Sequence, residues 1–469
     1  MHRYQSKTKF NGRKILSALF ALAFAPMVIA PDQARAEPTV TAQNMAAYQA
    51  ADENHRIRIL IKLVEAGYVN AADQMLVTFP LQGPLAANRS LYVQGLIAHK
   101  RGHLTEAVSK FRAALASDPH LTLVRVELAK TLAELDENDS AKHHLKLLES
   151  ETQDPQQLAS IRSFVESLDA KHPLTFSGFV SIAPSSNINQ GSSHATVVSP
   201  GLAGINGLNP VGTIAPGSQA TSGIGIMGGV NVGFTHRLDD NLQAVLAASL
   251  SSTFYPSSNI ITVNASQSAE IRYLIQDGYV GLGGIASQSA DPVNLALGYT
   301  SYGPRVSLSK LVTPRDQITA SAAYEWRNYV NSPVSNGNAV TVNGVFTHAL
   351  DSTANIAVLG GYDNVTQQLA YNSYQDVSFG LGFYKELPRG ITLQGQGTAR
   401  FAGFNDVNPL QAITRQDQQL TGSLTVTKRD WNVLGFAPSL NYTYTRNNSN
   451  ITLFDFDSHN VDFRLTKNF

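Results

Sequence analysis

Asn460-Val461-Asp462-Phe463-Arg464-Leu465-Thr466-Lys467-Asn468-Phe469 is the stretch that decides the fold. In an extended strand Val461, Phe463, Leu465 and Phe469 share one face, and Asp462, Arg464, Thr466 and Asn468 share the other. Lys467 alone breaks the apolar face, close to one end, where its stem can lie on apolar surface while the ammonium stays in water. Lipid on one side and water on the other is what the wall of a membrane-spanning β-barrel meets. A soluble sandwich strand alternates as well, so the rest of the chain must decide.

Working upstream, the period of two continues to Pro173. It predicts fourteen strands, at about 174–182, 222–237, 241–255, 261–275, 278–289, 293–311, 316–330, 337–350, 354–368, 373–387, 390–404, 415–428, 431–446 and 457–469. Most exceed the roughly 9–11 residues that a tilted membrane strand needs. In the seventh, Ile318, Ala320, Ala322, Tyr324 and Trp326 oppose Thr319, Ser321, Glu325 and Arg327. The connections alternate in length. Arg237-Leu238-Asp239-Asp240-Asn241, Gln276-Asp277-Gly278, Thr313-Pro314-Arg315-Asp316 and Leu387-Pro388-Arg389-Gly390 are tight polar turns, whereas 183–221, 331–336, 369–372, 405–414 and 447–456 are longer loops. Short periplasmic turns and long extracellular loops characterise outer-membrane barrels. An even strand count leaves both barrel ends on the periplasmic side.

The chain changes character near His172-Pro173. Residues 1–172 carry 38 charged side chains and 5 glycines, residues 173–469 carry 32 and 30. With 35 basic and 35 acidic residues, net charge gives no reason to expect nucleic acid as a partner. The absence of cysteine excludes disulfides, thiolate metal sites and a lipid anchor on an N-terminal cysteine. A basic start (His2, Arg3, Lys7, Lys9, Arg13, Lys14), an apolar run from Ile15 to Ala25 and the small-x-small Ala34-Arg35-Ala36 predict a signal peptide over residues 1–36. No other segment has the apolar length of a membrane helix.

Residues 37–172 show helical spacing and are predicted to be a periplasmic domain of tetratricopeptide-like repeats, ahead of the 14-stranded antiparallel barrel over 173–469. The clearest unit spans Asn88 to His120, with Gly95, Gly102, Ala107, Phe111, Ala114 and Pro119 at repeat spacing; it departs at Leu91, where an aromatic is usual, and at Gln94, where leucine is usual. Gly95 and Ala107 are expected to let two helices approach, Phe111 and Ala114 to fill the contact with the next hairpin, and Pro119 to end the second helix. Ala129, Ala141, Leu145, Leu148 and Pro155 mark a second unit. A degenerate hairpin (Ile57 to Phe79) and a partial helix (Gln156 to Leu168) flank them. Such stacks present a concave surface to a peptide or protein; a helical bundle without a ligand is the plainer alternative.

No catalytic or phosphate-binding motif is present, so an enzyme is the least expected class and no cofactor is called for. His99 and His103 have a metal-compatible spacing without a third ligand nearby, and His143-His144 is expected at the surface. Gly223, Gly225, Gly228, Gly229 and Gly233 belong to a strand, where they permit curvature.

Gly178-Phe179-Val180 and Pro184-Ser185-Ser186-Asn187-Ile188-Asn189-Gln190 resemble the motif that opens the barrel of surface lipoprotein assembly modulators. Gly303-Pro304, Arg415-x-Asp417, Pro438-x-Leu440-x-Tyr442-x-Tyr444, Ser449-Asn450 and Lys467-Asn468-Phe469 follow in the family's order, over nearly the whole mature chain. The resemblance implies an outer-membrane translocator that moves a client, a surface lipoprotein or a secreted protein, from periplasm to cell surface. The repeats would receive the client and the barrel would form or gate its exit. Members also serve host association. Resemblance to barrels in general makes Phe469 an insertion signal for the barrel-insertion machinery, and a monomer in outer-membrane lipid is expected. The residues alone leave open a passive pore, or an adhesion factor using the 183–221 loop, and give the Asn187-Ile188-Asn189 segment no more than a polar turn.

Overall fold

The computed structural model describes residues 40–118, 120–135, 137–152, 154–171, 173–203, 209–258, 260–290, 298–351, 353–387, 389–429, 431 and 436–468. The signal peptide, Pro119 and Phe469 lie outside these residues, as do the predicted strand starts at 293–297 and 432–435. The chain divides into two compact units, Met1–Lys171 and His172–Phe469.

Among the described residues of the first unit there are eight helices: α1 (Ala42–Ala50), α2 (Glu53–Glu65), α3 (Val69–Thr78), α4 (Ala86–Lys100), α5 (Leu104–Ser117), α6 (Thr122–Glu134), α7 (Asn138–Glu151) and α8 (Pro155–Lys171). Local chemistry starts and stops them. Thr41 and Asp52 cap the free amides at the heads of α1 and α2, accepting from Asn44 (3.2 Å) and His55 (3.0 Å). Gly102 (φ +78°) makes the left-handed turn from α4 into α5, which a side chain resists. Pro155 opens α8, where a missing N–H costs nothing. The predicted hairpins are α4–α5 and α6–α7, with α2–α3 before them and α8 after; α1 lies in the stretch of helical spacing but outside the predicted repeat units.

Burial follows the repeat spacing. Ala107, Phe111, Ala114, Ala129, Ala141, Leu145 and Leu148 are all fully buried in one cluster with Leu128, Leu132 and Ile161. A second cluster joins Tyr48, Leu60, Val64, Met75, Leu76, Val93 and Ile97 around α1–α4.

The second unit is a closed antiparallel barrel. Its strands are β1 (Leu174–Ser185), β4 (Gly223–Arg237), β5 (Leu242–Tyr255), β6 (Ile260–Ile275), β7 (Gly278–Ala290), β8 (Tyr299–Thr313), β9 (Asp316–Tyr329), β10 (Gly337–Asp351), β11 (Ala354–Gln367), β12 (Tyr374–Leu387), β13 (Ile391–Asn408), β14 (Ile413–Lys428), β15 (Phe436–Ser449) and β16 (Phe456–Asn468). Neighbours in sequence are neighbours in the wall, and β16 closes on β1. Closure leaves no unpaired edge, which is what lets strands cross hydrocarbon. A short hairpin of β2 (Thr196–Val198) and β3 (Val211–Thr213) lies inside the loop between β1 and β4, where the sequence shows no period of two.

The end of β13 and the start of β14 differ from the sequence reading for one physical reason. β13 runs on to Asn408, because its pairing with β14 resumes after an irregularity at Gly403/Val407 and continues to Asn408↔Ile413. The expected 405–414 loop therefore shrinks to a turn with Ala412 at φ +55°. At the opposite end, Asp277 (φ +61°) and Arg389 (φ +64°) close the short turns. Outward positions are large and apolar, such as Leu282, Leu308, Phe379, Leu381, Phe463 and Leu465, while Glu270, Glu325, Asp376, Asp417 and Asp462 point inward and are buried.

Candidate functional sites

On the long-loop rim of the barrel, the motif residues are fasteners. Asn187, at the exit of β1, donates from Nδ2 to the carbonyls of Gly191 (2.9 Å) and Asp457 (3.0 Å), and its Oδ1 accepts from the Gly191 N–H (2.9 Å). Asn189 donates to the carbonyls of Gly217 (3.0 Å) and Gln219 (2.8 Å) and accepts from the Thr221 N–H (3.1 Å). One asparagine thus folds the outgoing chain onto β16, and the other ties it to the returning chain. Pro184 lies opposite Ile224, and Ile188 lines a cavity of about 350 Å³ with Met227, Thr253, Tyr255, Thr443 and Asp462 of the lumen wall.

The remaining motif pieces meet at the same rim. Arg415 grips the Asp417 carboxylate with two bonds (2.6 and 3.1 Å), its guanidinium lying 3.5 Å from the Phe454 ring centroid and 4.5 Å from that of Phe404. Asn450 accepts from the Gln416 N–H (2.8 Å) and donates to the Thr414 carbonyl (2.8 Å), pinning the β15–β16 loop against β14. The Ser449 hydroxyl accepts from the Ile451 N–H (3.2 Å). Gly303-Pro304 marks a gap in the β8–β9 register, between Tyr302↔Trp326 and Arg305↔Ala323.

The 186–222 loop is fastened at its far end too. Ser192 bonds the Thr452 carbonyl (2.5 Å), Ser193 the Asp457 carboxylate (3.0 Å), Gln411 reaches Ser199 (3.2 Å), and the Gly201 N–H meets the Leu410 carbonyl (3.0 Å). The described residues of this loop are thus pinned to the turns after β13 and β15.

The sequence reading missed a device that recurs along the lumen. Arg272, Arg327, Arg415 and Arg464 each pair with a carboxylate two residues away on their own strand, namely Glu270, Glu325, Asp417 and Asp462. Arg400 pairs across strands with Asp376 (2.6 Å). Each guanidinium also lies over a ring, those of Tyr279, Tyr299, Phe404 with Phe454, Phe179 and Tyr374 respectively. Charges are thus neutralised locally and held by cation–π contact. The signal was readable as opposite charges at i, i+2 on a strand's polar face.

In the helical unit, Gly95 faces the ring of Phe111. A Cβ there would lie 2.4 Å from it, so the missing side chain makes room for that aromatic inside its own hairpin rather than only for helix approach. Tyr92, one residue past the departure at Leu91, supplies the second ring (centroids 6.2 Å apart). Burial holds its phenol well above the ordinary tyrosine range, so it packs as a neutral group. Gln94, the other departure, lines a groove of about 490 Å³ between α3, α4 and α5, with Val77, Pro80, Ser90, Arg101 and Lys110. Arg101 is held there by Asp73 (2.7 Å) and Asn70 (3.1 Å).

One expectation about histidine needs correction. His144 is buried, not at the surface, and its Nδ1 lies 3.3 Å from the Arg125 guanidinium; one face of α7 must enter the core, and it takes this residue. His99 and His103 turn to separate carboxylates, Glu134 (2.9 Å) and Glu106 (3.6 Å), rather than to a common point.

Residues 175–469 match the family described as surface lipoprotein assembly modifier, and residues 53–145 match that family's N-terminal TPR repeats. The chain is 21% identical over 443 residues to a surface lipoprotein assembly modifier of Pasteurella multocida, covering 88% of this chain and 82% of the relative. It is 22% identical over 394 residues to the hemophilin secretion modulator of Acinetobacter baumannii, covering 81% and 78%. Over 101 residues, 22% of this chain and 21% of the relative, it is 31% identical to surface lipoprotein assembly modifier 1 of Neisseria meningitidis. With the closed barrel, the repeat unit and a family match over most of its length, the chain belongs to the surface lipoprotein assembly modifier family and sits in the bacterial outer membrane.

Proposed function

We propose that this chain delivers a client protein, a surface lipoprotein or a soluble secreted protein, from the periplasm to the cell surface. The helical unit, on the periplasmic side, receives the client, and the barrel is its gated exit. The observation that carries this reading is the pinned rim. A loop fastened to β16 and the turn after β15 by Asn187 and Ser192, and drawn onto its own returning arm by Asn189, suits an exit that opens for a client better than a standing pore. The locally paired lumen charges fit as well, since a passive ion pathway gains nothing from carboxylates already neutralised by arginine. The relatives named for lipoprotein assembly and for hemophilin secretion support both client classes.

The groove on α3–α5 is where the client is held in this reading. Val77 and Pro80 offer apolar contact, Ser90 and Gln94 hydrogen bonds to an extended backbone. The test is deletion of the gene followed by protease shaving of intact cells and analysis of the medium. At least one surface or secreted protein should be lost and return on complementation. An unchanged surface and medium would sink the proposal.

A further inference from the structure

The wall of the barrel is not uniform: β8–β9 skips a step at Gly303-Pro304 but pairs at length on both sides of it, whereas the seam where β16 closes on β1 is the most sparsely paired line of the wall. On its other edge β1 pairs without a break from Leu174↔Phe234 to Ser185↔Gly223. β16 likewise pairs β15 without a break from Phe436↔Lys467 to Asn447↔Phe456. Across the seam, pairing runs from Ser177↔Asn468 to Ile182↔Phe463, stops, and returns only at Ser185↔Asn460.

Pro184 explains the stop. The Ser186 N–H donates to the His459 carbonyl (2.9 Å), so the amide of Ser186 points at β16. Backbone direction repeats every second residue, so the amide of residue 184 would also point at β16. Proline has no N–H to give, and the ladder bond opposite Val461 is missing.

Above the gap, side chains do what the ladder does elsewhere. Ser186 Oγ accepts from the His459 N–H (2.8 Å), Asn187 Nδ2 donates to the Asp457 carbonyl (3.0 Å), and Ser193 Oγ bonds the Asp457 carboxylate (3.0 Å). All three latching residues belong to the loop, and the cavity lined by Ile188 lies beside them. Below the gap, the inner side is bridged by Arg464 over the Phe179 ring (4.1 Å), while the Arg464 charge pairs within its own strand.

We propose that this seam is a latched lateral exit into the membrane for the acyl chains of a lipid-modified client, released when the Ser186–Asn187–Ser193 latch lifts off β16. This rests on the translocation reading. Acyl chains gain nothing in a lumen lined by ion pairs, hydroxyls and amides, whereas a parted seam lets them stay in hydrocarbon while the polypeptide passes through the polar interior.

The chain has no cysteine, so paired cysteines report without background. Because the Ser186 amide faces β16, Ser185 and Asn460 form a non-hydrogen-bonded pair, with Cα atoms at roughly 4.5 Å, within disulfide reach. Ser185→Cys with Asn460→Cys locks the seam. Ser251→Cys with Asn264→Cys locks β5 to β6 as the control. Cells fed an alkyne-bearing palmitate label their lipoproteins, and surface biotinylation then counts acylated protein that has arrived. The seam lock should lower that count about tenfold against the control lock, and reductant should restore it, which also shows that the variant folds. Equal delivery by both locks overturns the proposal. If the wild-type chain delivers nothing beyond the deletion strain, it is the translocation reading that fails. Hydrogen exchange in phosphatidylethanolamine–phosphatidylglycerol vesicles then decides the seam alone. The amides of Phe463 and Leu465, facing β1, should exchange about tenfold faster than those of Asp462 and Arg464, facing β15, and equal protection overturns it.

Discussion

The two units of this chain solve burial in opposite directions. The helical unit hides Leu60, Phe111, Leu128 and Leu145, and among its described residues only Val77 (72% exposed) and Leu85 (49%) are large apolar groups left outside. The barrel shows Leu381 (68%), Leu282 (65%) and Phe379 (63%) to its surroundings and keeps Asp376 (3%) and Glu386 (3%) inside. One hydrophobic effect produces both, because what counts is removal from water, and lipid serves the barrel as the neighbouring helix serves the repeats.

Substitutions can break the contrast or sharpen it. Phe111→Ala should cost the helical unit about 3–5 kcal/mol, since the ring is fully buried against Gly95, and should lower the midpoint of the 222 nm circular-dichroism melt. Leu381→Arg, on the lipid face near the middle of β12, should cost the barrel about 2–4 kcal/mol in urea unfolding from vesicles. Lumen-facing Thr421→Arg should move that midpoint less, and the reverse order would contradict the assignment of faces. Gly95→Ala should cost about 1–3 kcal/mol by pressing a methyl into the Phe111 ring, seen in the same thermal melt as Phe111→Ala. Val77→Ser, in the open groove, should leave that melt within about 0.5 kcal/mol while weakening capture of client by the full-length protein.

Much of this was legible in the sequence because periodicity and turn chemistry are local. Fourteen strands could be placed from alternation and short turns, and the repeat hairpins from small residues such as Ala107 and Ala129. What escaped notice is non-local. Nothing in Asn187-Ile188-Asn189 says that one amide reaches Asp457, 270 residues away, and the other the returning arm of its own loop. Tyr92 could stand in for Leu91 only once the helix was folded against Phe111. The extension of β13 depends on pairing that resumes beyond a bulge, which no single-strand pattern records. His144 was misplaced because a pair of adjacent histidines was weighed without knowing which side of α7 meets Arg125.

Conductance across planar bilayers asks most directly whether the barrel is a gated exit. The wild-type protein should be nearly silent, and Asn187→Ala with Ser192→Ala, which removes the loop's side-chain bonds to the Asp457 and Thr452 carbonyls, should give frequent openings. Steady, ohmic conductance by the wild-type protein, unchanged by the double substitution, would contradict the gated reading and leave a passive pore.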